Sequence, residues 1–240
     1  MRPLDRAFAR FIATLDPGGD ERVPMAAALV SRELGDGHIC VDVATLADAD
    51  SRLADIDAAL LASPLVSGPT SDSPAPMVLD QGLLYLRRFW RDEAHVAEAI
   101  LSRLAPVAVP DDLSAELDRL FPATDEGPDW QKVACAIAAR GAFSVITGGP
   151  GTGKTTTVIR LLGLLQTMAH RRGAPRLRIR LAAPTGKAAA RLNASIALQI
   201  DRLQVDAAIK QAIPAEVTTL HRLLGSRPDS RRFRHDADNP

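Results

Sequence analysis

Apolar residues recur at three- and four-residue intervals over residues 4–14 and 23–34, which predicts two helices joined by the turn Asp16-Pro17-Gly18-Gly19-Asp20. A short apolar run at 38–43 predicts a strand, and Ser51 is placed to cap a helix running to Leu61. Residues 63–76, rich in Ser and Pro, predict an exposed loop. Met77-Val78-Leu79 and Leu83-Leu84-Tyr85-Leu86 flank Asp80-Gln81-Gly82, a hairpin signal, and a helix carrying Trp90 is predicted over 87–104. Pro106 and Pro110 then interrupt the helical pattern. Asp111 can cap a helix to Leu120, a second break spans Phe121-Pro122 and Asp125-Glu126-Gly127-Pro128, and 129–140 again has helical spacing.

Beyond residue 140 the pattern changes. Phe143-Ser144-Val145-Ile146-Thr147 predicts a buried strand, the residues from Thr156 onward an apolar helix, 177–183 a strand with one wet face, and 187–198 another helix. Strand, helix, strand, helix is the α/β signature of a parallel sheet whose ligand sits at the strand C-termini. The fold class expected is therefore α/β, with a mainly helical first domain over 1–110 and a P-loop-type domain over 111–240.

Between the first strand and helix of that second part lies Gly148-Gly149-Pro150-Gly151-Thr152-Gly153-Lys154-Thr155, followed by Thr156. A glycine, four residues and Gly-Lys-Thr form the phosphate-cradling P-loop pattern. Glycines let backbone N–H groups turn toward phosphate oxygens, and the helix beginning near Gly153 aims its positive end at the same charge. Lys154 is the expected cation on the β- and γ-phosphates, and Thr155 the hydroxyl ligand of Mg²⁺. A glycine turn merely joining strand to helix would leave a lysine at a helix start without purpose, since that end favours anions.

The net charge is zero, yet residues 1–129 hold 23 acidic against 11 basic residues and 130–240 hold 6 against 18. A basic half suits a polyanion, while two oppositely charged solvated faces are the plainer alternative. The acidic half shows no spacing that pairs its carboxylates, and His38 and His95 stand alone, so contact with a partner rather than catalysis is expected of it. Cys40 and Cys135 lie far apart without metal spacing and are expected to be buried thiols. No stretch approaches the apolar length of a membrane span, and Met1-Arg2-Pro3-Leu4-Asp5-Arg6 lacks a following signal-like block, so a cytoplasmic location is expected.

Three further segments carry a resemblance. Gln131, in Asp129-Trp130-Gln131, lies just upstream of the P-loop; its amide can donate to and accept from adenine at once, or simply cap a helix. Ala183-Pro184-Thr185-Gly186-Lys187-Ala188-Ala189-Ala190-Arg191-Leu192 sets Lys187 and Arg191 four apart on one helical face, suited to successive phosphates or to solvent. Val217-Thr218-Thr219-Leu220-His221-Arg222-Leu223-Leu224-Gly225 offers Thr218 or Thr219 as a helix cap, itself an anion site, while His221 lacks a partner at metal-ligand spacing.

Together these segments resemble the superfamily 1 DNA helicases, and within them the RecD subunits of the RecBCD (exodeoxyribonuclease V) complex, over nearly the whole chain. The resemblance implies a helical docking domain followed by part of a RecA-like P-loop NTPase domain. It makes Gln131 an adenine reader, and it makes Pro184, Thr185, Gly186, Lys187, Arg191, Thr218, Thr219 and His221 contacts to single-stranded DNA. It further implies ATP and Mg²⁺ as cofactors, RecC-like and RecB-like subunits as partners, and 5′-to-3′ helicase action in double-strand break processing and recombination. Hydrolysis also needs an acidic pair after an apolar strand and a catalytic arginine. The run Ile196-Ala197-Leu198-Gln199-Ile200-Asp201 has helical spacing instead. An incomplete motor domain, inactive alone and continued by Walker B and later motifs, is therefore expected. A non-helicase P-loop NTPase or a nucleotide-binding assembly subunit is the competing reading, and no Asn-Lys-x-Asp guanine reader follows the P-loop.

Overall fold

Helices α1 (Pro3–Leu15) and α2 (Arg22–Asp36) form where the apolar period places them, and they bury Ile12, Val23, Ala26, Ala27 and Val30 in one core. The computed structural model describes residues 1–105, 107–108, 111–122, 127–236 and 239. The chain divides into two compact units, Met1–Leu101 and Ser102–Pro240. Pro106 and Pro110 of the expected linker, and Asp125 and Glu126 of the second break, lie outside the described residues.

In the first unit, Asp5 is fully buried in α1, where its carboxylate accepts hydrogen bonds from Arg2 and, at 2.9 Å, from Ser31 Oγ of α2. Those donors hold its pKa well below the usual carboxylate range. Strand β1 (Cys40–Asp42) leads to the short helices α3 (Leu46–Ala49) and α4 (Asp57–Ala62), then to β2 (Val66–Ser67), β3 (Met77–Asp80), β4 (Leu83–Leu86) and α5 (Arg87–Leu101). The sheet order is β1-β4-β3-β2. Gln81 and Gly82 have φ of 49° and 80°, so the β3–β4 hairpin turns as two successive left-handed residues require. Trp90 Nε1 donates to Asp80 Oδ2 at 2.9 Å and anchors α5.

Two expectations fail here. Ser51 does not cap a helix to Leu61: Asp50 caps a 3₁₀ turn over Ser51–Leu53, and Asp55, at φ 53°, breaks the path before α4. A left-handed residue cannot sit inside a right-handed helix. Residues 63–76 are not simply an exposed loop, because Leu65 and Ala75 are buried and β2 pairs parallel with β3.

The second unit contains α6 (Leu113–Leu120), α7 (Trp130–Ala138), α8 (Lys154–Arg171), β5 (Leu181–Ala183), α9 (Gly186–Arg202), α10 (Ala207–Ala212), β6 (Val217–Thr219), α11 (Leu220–Leu224), β7 (Ser226–Arg227) and β8 (Ser230–Phe233). Helix α6 has Asp112, not Asp111, at its N-cap position. Leu117, Phe121, Cys135, Ile159, Leu164, Ile196, Ile200 and Val217 form its core, each large side chain contributing about 1.5–3 kcal/mol by leaving water. Buried Glu116 pairs with Arg171 and Arg119, joining α6 to α8. Strands β5 and β6 run parallel with Ala183 opposite Thr219.

Here too the structure differs from expectation. Residues 143–147 form no ladder among the described residues, and Val145 is 71% exposed. A strand exists by its neighbour's hydrogen bonds, and apolar content cannot replace them. For the same reason only Leu181–Ala183 of the run 177–183 is a strand. Residues 226–227 and 230–233 pair as the β7–β8 hairpin, and Arg234 N donates to Leu224 O and Gly225 O at 3.0 Å. The run ending at Asp201 lies within α9, as its spacing predicts.

Candidate functional site

The loop before α8 is shaped by its glycines. Gly151 and Gly153 sit at φ of 77° and 81°, and a Cβ on Gly148 would come within 2.7 Å of Thr152 Oγ1. Side chains at these positions would strain or fill the loop. Thr152 Oγ1 donates to Gly149 O at 3.0 Å, closing the turn beside Pro150. Lys154 Nζ donates to Gly148 O at 2.6 Å and also to Gly149 O, so the ammonium is drawn into the curve of the loop. Gly153 is the N-cap of α8 and Lys154 its first residue. The first turn of the helix therefore directs unpaired N–H groups at the loop, where anions are favoured. Thr155 lies in that turn and is half-buried. Thr156 turns away, its Oγ1 donating to Gln199 Oε1 of α9 at 3.1 Å.

Gln131 reaches this loop from α7. Asp129 caps that helix by accepting from Gln131 N at 2.9 Å and Lys132 N at 3.1 Å. Gln131 Nε2 donates to Thr152 O at 3.4 Å, and its amide lies where a Cβ on Gly153 would fall. Beneath it, Cys135 Sγ donates to Thr157 O at 3.4 Å, and burial pushes the thiol's pKa up to about 11. Cys40 is half-buried, and both cysteines are free.

The basic segments converge elsewhere on this unit. Thr185 caps α9 by accepting from Ala188 N at 3.2 Å, and Thr219 caps α11 by accepting from Arg222 N at 3.2 Å. Their strands are register neighbours, so Pro184-Thr185-Gly186 and Thr219-Leu220-His221 leave one edge of the parallel pair side by side. Pro184, Thr185, Gly186, Lys187, Arg191 and His221 are exposed. Thr218, by contrast, has a buried Oγ1 with no hydrogen-bond partner among the described residues, and His221 meets the Phe233 ring edge-on at 5.9 Å. Arg180, Glu216, Thr218 and Arg222 line an open groove of about 350 Å³. Arg160, a lone arginine within the apolar helix α8, gives no local signal in the sequence, yet its guanidinium Nη1 donates to Gln131 Oε1 at 3.5 Å.

No group of three or more His, Cys, Asp or Glu among the described residues could hold a metal. No helix among them is long and apolar enough to cross a membrane.

Comparison with known proteins places this geometry in a family. A model of an AAA domain matches residues 131–240, and a model of the N-terminal domain of the RecBCD enzyme subunit RecD matches 1–53. The chain is 41% identical over its whole length to the RecBCD enzyme subunit RecD of Mycolicibacterium smegmatis, covering 43% of that protein. It is 43% identical to its counterpart in Mycobacterium tuberculosis over 98% of the chain and 40% of that protein. It is 30% identical, over 67% of the chain and 19% of the relative, to the ATP-dependent RecD2 DNA helicase of Deinococcus radiodurans. The chain thus spans about two fifths of the length of the two RecD relatives. The α/β architecture, a mainly helical N-terminal unit followed by part of a RecA-like P-loop domain, is the one these matches describe. By these matches, the chain belongs to the family of the RecBCD enzyme subunit RecD.

Proposed function

We propose that this chain is the ATP-gripping, amino-terminal part of a RecD-like 5′-to-3′ DNA helicase subunit acting in double-strand break processing and recombination. The observation that carries the reading is Lys154, whose ammonium sits inside a glycine-shaped loop at a helix N-terminus. Its acceptors there are neutral carbonyls, and phosphate oxygens are stronger acceptors for a charged donor. In this role Gly148, Gly149, Pro150, Gly151, Thr152 and Gly153 shape the loop, Lys154 and Thr155 contact the triphosphate and its ion, and Thr156, expected to join them, ties α8 to α9 instead. The Thr155 hydroxyl is a hard oxygen donor that fits Mg²⁺, an ion that keeps most of its waters and takes few protein ligands. Bound Mg²⁺ would neutralise charge on the β- and γ-phosphates. Gln131 reads adenine.

The second element of the proposal is a DNA track. Thr185 and Thr219 cap neighbouring helix starts, and exposed Lys187 and Arg191 continue that edge, an arrangement suited to successive phosphates of single-stranded DNA. The acidic first unit docks the subunit to RecC-like and RecB-like partners in a cytoplasmic assembly. Changing Lys154→Ala in the full-length protein should abolish DNA-stimulated ATP hydrolysis, measured by phosphate release. Wild-type turnover in that variant would overturn the assignment.

A further inference from the structure

Arg160, three helical residues beyond Thr157, faces back toward the nucleotide loop. Its Nη1 donates to Gln131 Oε1 at 3.5 Å, and its guanidinium carbon lies 4.6 Å from the centre of the Phe121 ring. Phe121 is itself 2% exposed, so the ring is a fixed platform at the end of α6. On the other side of the same amide, Gln131 Nε2 donates to Thr152 O. The amide is therefore held between a donor and an acceptor.

We propose that Arg160, supported by Phe121, is a specificity-determining residue that locks the Gln131 amide in the one orientation complementary to adenine. The inference rests on the reading of Gln131 as the base reader. An amide has two N–H donors and two acceptor lone pairs, and the two protein contacts use one of each. One N–H and one lone pair remain, in fixed positions. Adenine presents N7 as an acceptor beside the N6 amino donor, which these complement. Guanine presents N7 beside O6, which would set an acceptor against Oε1. Rotating the amide by half a turn would set Oε1 against N7 and NH₂ against the N6 amino group of adenine, losing both contacts, while guanine, with two acceptors, mismatches one end of the amide in either orientation. That rotation would put NH₂ against the guanidinium and Oε1 against Thr152 O, opposing like partners at both ends. Arg160 thus holds the amide in the orientation that pairs with adenine, which favours ATP over GTP, and Thr152 O ties the reader to the phosphate loop.

The experiment compares kcat/KM for ATP and for GTP in single-stranded-DNA-stimulated hydrolysis by the full-length protein. Arg160→Met should lower the ATP-to-GTP ratio by about 5- to 20-fold, mainly through KM for ATP, as expected for loss of a charged hydrogen bond that enforces discrimination. Arg160→Lys, which keeps a cationic donor, should recover part of the ratio. Phe121→Leu, which keeps apolar bulk without a ring face, should shift it less and in the same direction. Gln131→Ala should show the same loss, and the double variant Gln131→Ala with Arg160→Met should lose no more than Gln131→Ala alone. A wild-type ratio in both Arg160→Met and Phe121→Leu alongside a lowered one in Gln131→Ala would overturn the locking role while leaving Gln131 as the reader. An unchanged ratio in Gln131→Ala would overturn the reader and, with it, the lock.

Discussion

Replacing Gly153 by alanine tests how far the shape of the nucleotide loop depends on a single backbone angle. Gly153 has φ 81° and ψ 18° at the N-cap of α8, a conformation that costs an L-residue about 1–2 kcal/mol. The added methyl would also fall on the Gln131 amide and displace its bond to Thr152 O; such a bond is worth about 0.5–1.5 kcal/mol. Together the change should cost about 2–3 kcal/mol. If the loop keeps its shape, the cost appears as lost stability; if it relaxes, it appears as weaker nucleotide binding, tens-fold or more, since about 1.4 kcal/mol is tenfold. Gly151 supplies the control, because it has φ 77° but open space where its Cβ would go, so Gly151→Ala carries the backbone strain without the clash. The assay is titration of the full-length protein with a fluorescent ATP analogue, paired with thermal unfolding. Gly153→Ala should lose more in the sum of the two than Gly151→Ala, by about the worth of the Gln131 contact. Wild-type affinity and wild-type melting in Gly153→Ala would refute the claim that the left-handed cap shapes the loop.

Other outcomes follow from the same geometry. Asp129→Ala removes the acceptor for two backbone N–H groups at the start of α7 and should cost about 0.5–2 kcal/mol, read as a lower melting temperature. Weaker nucleotide binding should accompany it, because the cap seats Gln131. Replacing Lys187 and Arg191 together by Gln should flatten the dependence of single-stranded DNA affinity on salt by about 1.4 in the log–log slope, at roughly 0.7 per phosphate contact. An unchanged slope would place the track elsewhere. Cys135 is fully buried and should resist alkylation at pH 8 while Cys40 reacts faster, as mass spectrometry can resolve. Because the folded thiol titrates near 11 and the unfolded one near 9, the folded form holds the proton longer. Stability is accordingly untouched below pH 9 and falls as pH rises from 9 toward 11. Flat stability across that window would show that the thiol is not held protonated by burial.

The amino-acid order alone made several elements readable because their causes are local. The P-loop, the 81–82 turn and the periods of α1, α2, α8 and α9 each depend on residues within a few positions of one another, where backbone sterics act. Sequence patterning failed where the cause lay far along the chain. Residues 143–147 have the composition of a strand and form no ladder among the described residues, since pairing belongs to two segments and not to one. The turn at Asp55 interrupted a helix that residue preferences alone favoured.

The same division runs through the site. Residue types and spacing placed Lys154 and Thr155 at the end of a glycine-rich loop and two basic segments after it. Only tertiary structure decided that Thr185 and Thr219 emerge side by side, through the parallel register of β5 and β6. It also buried Thr218 Oγ1 and brought Arg160 and Phe121 to the Gln131 amide. Contacts between residues tens of positions apart form only when packing brings their elements together, so no local pattern can announce them.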